Sequence, residues 1–135
     1  MTFSELEVGQ TASLQKAFTE ADVAAFAEIS LDTNPIHLSD KYAKESVFGR
    51  RVVHGMLTAG LISAVIANRL PGPGSIYLGQ DLRFTAPVFP GDTVTAQVEI
   101  TELREDKKIV KLTTTCVNQH GQPVITGLAT VKFNQ

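Results

Sequence analysis

The chain has 135 residues, 43% of them hydrophobic and 19% charged, with a formal charge of −2. A chain of this length predicts one domain spanning residues 1–135, able to bury about two-thirds of its unfolded surface without covalent staples. The weak negative charge argues against nucleic acid as a partner, because neutralising phosphates takes a basic surface; the lone Cys116 excludes an intrachain disulfide and suits a reducing, cytoplasmic setting.

The opening MTFSELEVGQ has neither the basic start nor the apolar core of a secretory signal. Ala12, Leu14, Lys16 and Phe18 predict a short first strand. Thr19 followed by Asp22 is a helix start, in which the hydroxyl accepts from an early amide and the acid complements the positive end. Val23, Phe26 and Ala27 form the apolar face of that helix, which runs to about Ser30. LDTNPIHL, Leu31 to Leu38, reads as a loop, and Ser39-Asp40 opens a short polar helix through Glu45.

From Gly55 to Leu70, GMLTAGLISAVIANRL places apolar residues on nearly every face, the pattern of a helix wrapped by other structure. The apolar run from Val52 to Ala67 is shorter than the roughly 20 residues that cross a bilayer, so no membrane is expected as a partner. PGPG, Pro71 to Gly74, stops the helix. The helical period then gives way to alternation, in four sets. These are Ile76, Leu78, Leu82 and Phe84; Val94, Ala96, Val98 and Ile100; Val110, Leu112, Thr114 and Cys116; and Ile125, Gly127, Ala129, Val131 and Phe133. Between them PVFPGD, REDKK and NQHGQ supply turns, which predicts that the four strands are consecutive antiparallel neighbours. One strand, a set of helices ending in the apolar one, and four strands fit an antiparallel sheet curled around a buried helix. That is the hot-dog architecture, in the α+β class.

Two histidines stand out. Asp32 and His37 flank Pro35 in the loop before the apolar helix, and a carboxylate and an imidazole so placed can grip one water, one withdrawing a proton as the oxygen attacks. Pro35 limits the loop's freedom and favours a preformed geometry. The same residues also serve a plain turn, since Asp32 and Asn34 make Asx-turns and NP is a turn dipeptide. His54 and Gly55 open the apolar helix, where N–H groups lack intrahelical partners and the dipole is positive. Without a Cβ, Gly55 would let a thioester oxygen approach its amide as in an oxyanion hole; alternatively His54 only satisfies local backbone groups. Ser63 has no nucleophile-elbow setting and reads as bonding back to its own helix. His120 falls in a hairpin loop, Cys116 at a core position, and three scattered histidines without ligand spacing do not suggest a metal.

DTNPIHL, VVHGMLTAGLIS and PGPGSIYLGQDLRFTAPVFPGD closely resemble the MaoC-like R-specific enoyl-CoA hydratases, the hydratase 2 family. Within it the likeness is to the short single-domain bacterial enzymes that feed β-oxidation intermediates into polyhydroxyalkanoate synthesis. It covers nearly the whole chain, and D-x-N-P-x-H followed by H-G-M is its most specific part. The resemblance implies syn addition of water to a trans-2-enoyl-CoA, giving the (R)-3-hydroxyacyl-CoA, with no metal or redox cofactor. It places the catalytic dyad on Asp32 and His37, an orienting amide on Asn34, a hydroxyl near the dyad on Ser63 and the thioester-binding amide on Gly55, with His54 beside it. It also implies a homodimer joined sheet edge to sheet edge. Burial of Asp32 among apolar residues would suit its role as base, and Arg50 and Arg51 are candidates for meeting the CoA phosphates.

Three other functions fit parts of the pattern. A dehydratase acting on an acyl-carrier-protein thioester would use the same chemistry; a hot-dog thioesterase would send the water to the carbonyl; a non-catalytic acyl-CoA-binding subunit would have no need of the dyad, which this chain retains.

Overall fold

The helix starts follow from their caps. In the computed structural model, which describes residues 1–135, Thr19 Oγ1 accepts from the Asp22 amide at 3.1 Å and Asp22 Oδ2 accepts from the Thr19 amide at 2.9 Å. This reciprocal box opens α1 (Glu20–Ser30) and is worth about 1 kcal/mol. The Thr19 amide, the largest influence, holds the Asp22 carboxyl below the usual aspartate range. Ahead of it runs β1 (Thr11–Ala17), with Phe18 buried just beyond its end.

LDTNPIHL is more ordered than a loop. Asn34 Oδ1 accepts from the Ile36 amide at 3.1 Å and Pro35 occupies the first helical position, so Pro35–Leu38 forms one helical turn, α2. Ser39 caps α3 (Asp40–Lys44) in turn. α4 (Gly55–Asn68) buries Thr58, Ala59, Leu61, Ile62, Val65 and Ile66 against the sheet. Each of its large apolar side chains contributes about 1.5–3 kcal/mol on burial. It is not wrapped all round, however: Met56, Gly60, Ser63 and Ala67 form an outward stripe that nothing in the chain covers. Three of these four are small residues, so the unbroken apolar reading overstated the area to be buried.

The five strands form one antiparallel sheet, completed by β2 (Ser75–Phe84), β3 (Thr93–Arg104), β4 (Ile109–Val117) and β5 (Pro123–Phe133). Burial alternates as expected in β3, β4 and β5, with Val94, Ala96, Val98 and Ile100 beside Val110, Leu112, Thr114, Cys116, Ala129, Val131 and Phe133 on one buried face, but not in the edge strand β2, where Ile76, Leu78 and Phe84 are exposed. The order is β1-β3-β4-β5-β2, so β3, β4 and β5 are consecutive neighbours but β2 is not beside β3. PVFPGD is a crossover rather than a hairpin. The link is long enough to carry the chain over the end of the sheet, bonding as it goes through the Thr85 amide to Val124 O at 3.0 Å and the Val53 amide to Val88 O at 2.7 Å. β2 then lies so close to β5 that a Cβ on Gly127 would collide with the Asp81 carbonyl. That close approach explains a glycine within an otherwise apolar alternation. The result is a curled α+β hot-dog sheet holding α4 in its concavity, with β1 and β2 as its free edges.

Candidate active site

A cleft of about 580 Å³ opens between the N-terminus of α4, the α1–α2 segment and the β2–β3 crossover. Asp32, His37 and Gly55 line it together with Met56, Phe84 and Val88. Three parts of the sequence thus meet at one wall.

Leu31 ends α1 in the left-handed region, at φ 66°, and so turns the chain sharply into Asp32. The Asp32 amide donates to Ser30 Oγ at 3.1 Å, and its Oδ1 accepts a long bond of 3.4 Å from the Asn34 amide. His37, half-buried on α2, has its Nδ1 at 2.8 Å from Val52 O. Because a carbonyl can only accept, Nδ1 carries the proton and Nε2 is left for a ligand. One donor atom each from Asp32, His37 and His54 lies within 4.8 Å of the others. A single water spans such a gap, each hydrogen bond being about 2.8 Å. Asp32 itself is exposed, so the apolar enclosure expected of it is not supplied by this chain alone.

The site residues read from the sequence divide here. Asp32, His37 and Gly55 come together at the cleft, and the Gly55 amide, at the first position of α4, makes no hydrogen bond within the chain. Asn34 is exposed, caps α2 and does not line the cleft. Ser63 lies two turns along α4 on the exposed stripe and does not line the cleft. Its hydroxyl makes no hydrogen bond: the expected bond back to its own helix is not formed, because the side chain points to solvent. His54 is 1% exposed and stands behind the wall, its Nε2 donating to Asp32 O at 3.0 Å. Burial holds the His54 pKa below the usual histidine range, His37 adds to that, and the bond to Asp32 opposes it. Arg51 is engaged by Glu20 and by Asp40, whereas Arg50 stands over the Phe89 ring at 3.7 Å, next to the cleft-lining Val88.

The histidines are less scattered than the sequence suggested, since His37 and His54 stack at 3.8 Å between centroids with planes 25° apart. That stacking does not suit a metal. A bound ion lies in the plane of each imidazole about 2.0–2.1 Å from nitrogen, and near-parallel planes this far apart do not meet so close. Phe84 was not singled out from the sequence. Its ring lies against Gly55, filling the space where a Cβ would project. The only local signal was an aromatic closing β2 where the chain leaves the sheet.

A hot-dog fold with a carboxylate and an imidazole at the open N-terminus of its central helix defines the class of protein. The sequence matches the MaoC-like domain family over residues 4–122, and the chain belongs to that family. It is 54% identical to the (R)-specific enoyl-CoA hydratase of Aeromonas caviae, covering 98% of this chain and 99% of the relative. It is 53% identical to the enzyme of the same name from Rhodospirillum rubrum, over 96% and 89% of the two chains. The solved (R)-hydratase of A. caviae involved in PHA biosynthesis superposes with a TM-score of 0.93 at 55% identity, over 96% of this chain and 98% of that one.

Proposed function

We propose that the protein is an R-specific trans-2-enoyl-CoA hydratase, a hydro-lyase that adds water syn across the double bond and supplies (R)-3-hydroxyacyl-CoA to polyhydroxyalkanoate synthesis. The observation that carries this is the convergence of Asp32, the free Nε2 of His37 and the unpaired Gly55 amide on one cleft. The acyl-CoA is bound with its thioester oxygen on the Gly55 N–H at the positive end of α4, which draws electron density from C3. Asp32 and His37 hold one water. As its oxygen bonds to C3, one water proton passes to Asp32, and a proton is returned to C2 from the same side with His37 keeping the water in line. The other water proton stays on the new hydroxyl. Water supplies every atom added and no electrons are exchanged, so the reaction needs no redox cofactor.

Two further readings accompany it. The first is a homodimer joined through β2, supported by the exposed apolar residues of that unpaired edge, Ile76 and Leu78, with Leu128 beside them on β5. The second is a cytoplasmic location; no helix is long and apolar enough to cross a membrane. Arg50, which stands over the Phe89 ring beside the cleft-lining Val88, is the cation assigned to the CoA phosphates. The test is incubation with crotonyl-CoA, following enoyl-thioester absorbance and free thiol in parallel. Absorbance loss without thiol, and a product oxidised by an R-specific dehydrogenase, is the expected result. Thiol release would make the protein a thioesterase, and turnover confined to the acyl-carrier-protein substrate would make it a dehydratase of that thioester.

A further inference from the structure

His54 is held on every side although it does not line the cleft. Its ring is stacked on His37 at 3.8 Å and meets the Phe26 ring of α1 edge-on at 4.8 Å. Its Nε2 donates to the Asp32 carbonyl across 22 positions of sequence. With the proton on Nε2, Nδ1 is a lone-pair acceptor, and that atom is buried without a hydrogen-bond partner.

We infer that His54 is a positioning residue, an uncharged imidazole that holds the Asp32 main chain through Nε2–H and backs the His37 ring, so that one side chain sets the separation of the dyad. The inference rests on the hydratase reading of the site. Asp32 follows a left-handed residue on an exposed segment, and its remaining hydrogen bonds are local ones to Ser30 and from Asn34. The bond from His54 is its one tie to a distant element. His37 is fastened to the same place, since its Nδ1 bonds to Val52 O, two residues before His54. Val53, between the two anchors, is tied to the β2–β3 crossover by its amide. Residues Val52 to His54 therefore carry both members of the dyad. The unpaired Nδ1 points the same way: a phenylalanine would fill this site without burying an unsatisfied acceptor, and such an acceptor is tolerated where the side chain has work to do.

The test compares wild type with His54→Phe, which keeps a ring and loses the donor, and His54→Gln, whose amide N–H can reach where Nε2–H does. His54→Phe is expected to keep a melting temperature at or above wild type, with KM for crotonyl-CoA within about threefold. Its kcat is expected to fall by about 10- to 100-fold, the scale of a dyad displaced by about 1 Å. His54→Gln is expected to recover a large part of that kcat. Wild-type kcat in His54→Phe, or a His54→Gln enzyme no faster than His54→Phe, would overturn the inference while crotonyl-CoA hydration by the wild type leaves the hydratase reading standing. A wild type that does not hydrate crotonyl-CoA sinks that reading instead. Should the variants not fold, 15N imidazole spectra of the wild type decide: a neutral Nε2–H tautomer for His54 is expected, and an Nδ1–H or doubly protonated ring would overturn it.

Discussion

Gly55 is constrained by Phe84, and that constraint can be measured. A Cβ built on Gly55 would lie 2.6 Å from Cε1, 2.7 Å from Cδ1 and 3.2 Å from Cζ of the Phe84 ring. Carbon atoms in contact sit about 3.5–4.0 Å apart, so in Gly55→Ala the ring has to move by about 1 Å. Overpacking of this kind costs about 1–3 kcal/mol. Phe84 is 53% exposed at the end of an edge strand and can turn toward solvent, which places the cost near the lower bound. In a Phe84→Ala background the obstacle is gone. The same alanine then only restricts the unfolded chain and is stabilising by about 0.4–1 kcal/mol. The two effects add to a coupling of about 1.5–2 kcal/mol. Urea unfolding of the wild type, both single variants and the double variant at one protein concentration measures it directly. A Gly55→Ala cost that is the same in both backgrounds would refute the packing argument and leave the glycine to be explained by the approach of substrate alone.

Asp32→Asn and His37→Ala should each lower kcat for crotonyl-CoA by about 10²–10⁴-fold while circular dichroism and melting temperature stay near wild type, Asp32 being exposed; turnover within a few-fold of wild type in either would remove that residue from the dyad. Arg50→Ala should raise KM for the CoA thioester several-fold, whereas Arg51→Ala, which frees Glu20 and Asp40, should cost about 1 kcal/mol or less of stability and leave KM alone. For pH, burial above all, with His37 adding to it, holds His54 neutral in the folded state against the opposing influence of Asp32, while unfolding restores a histidine that takes up a proton near 6.5. Below that value the unfolded chain binds the extra proton, so stability should fall as pH drops from about 7 toward 5, and His54→Gln should flatten this part of the profile. Thr19→Ala should cost about 1 kcal/mol by removing the cap of α1, read as a lower urea midpoint with unchanged slope.

The strand pattern was legible in the sequence because it rests on local chemistry, and the D-x-N-P-x-H spacing because it keeps Asp32 and His37 close enough to line one cleft. Alternation from Val94 to Ile100 and from Val110 to Cys116 reports a half-buried sheet wherever its partners lie, and Thr19 and Ser39 mark the helix starts where they stand. Strand order was not legible. Nothing in Ile76 to Phe84 says which edge β2 joins, and the decisive feature, the approach of Asp81 to Gly127, spans two strands. Asn34-Pro35 was ambiguous because an N-cap followed by proline is as good a helix start as a turn, and one turn of helix leaves no periodicity to detect. The exposed stripe of α4 was hidden because Gly60 and Ala67 count as apolar whether or not they are covered. His54 was placed beside the substrate on its neighbourhood with Gly55; its bond to Asp32 and its stack on His37 exist only once three separate segments have come together.

The most direct test of the proposed chemistry is hydration of crotonyl-CoA in D2O, with the product's configuration at C2 and C3 read from the proton coupling between them. Asp32 and His37 sit on one wall of the cleft, so oxygen and deuterium should arrive on the same face of the double bond, giving a single syn-added, C2-monodeuterated (R)-3-hydroxybutyryl-CoA. Anti addition would mean that water and proton come from opposite sides, and a dyad on one wall could not be their source; a syn-added (S) product would mean that the other face of the double bond meets the dyad and would contradict the R-specific assignment.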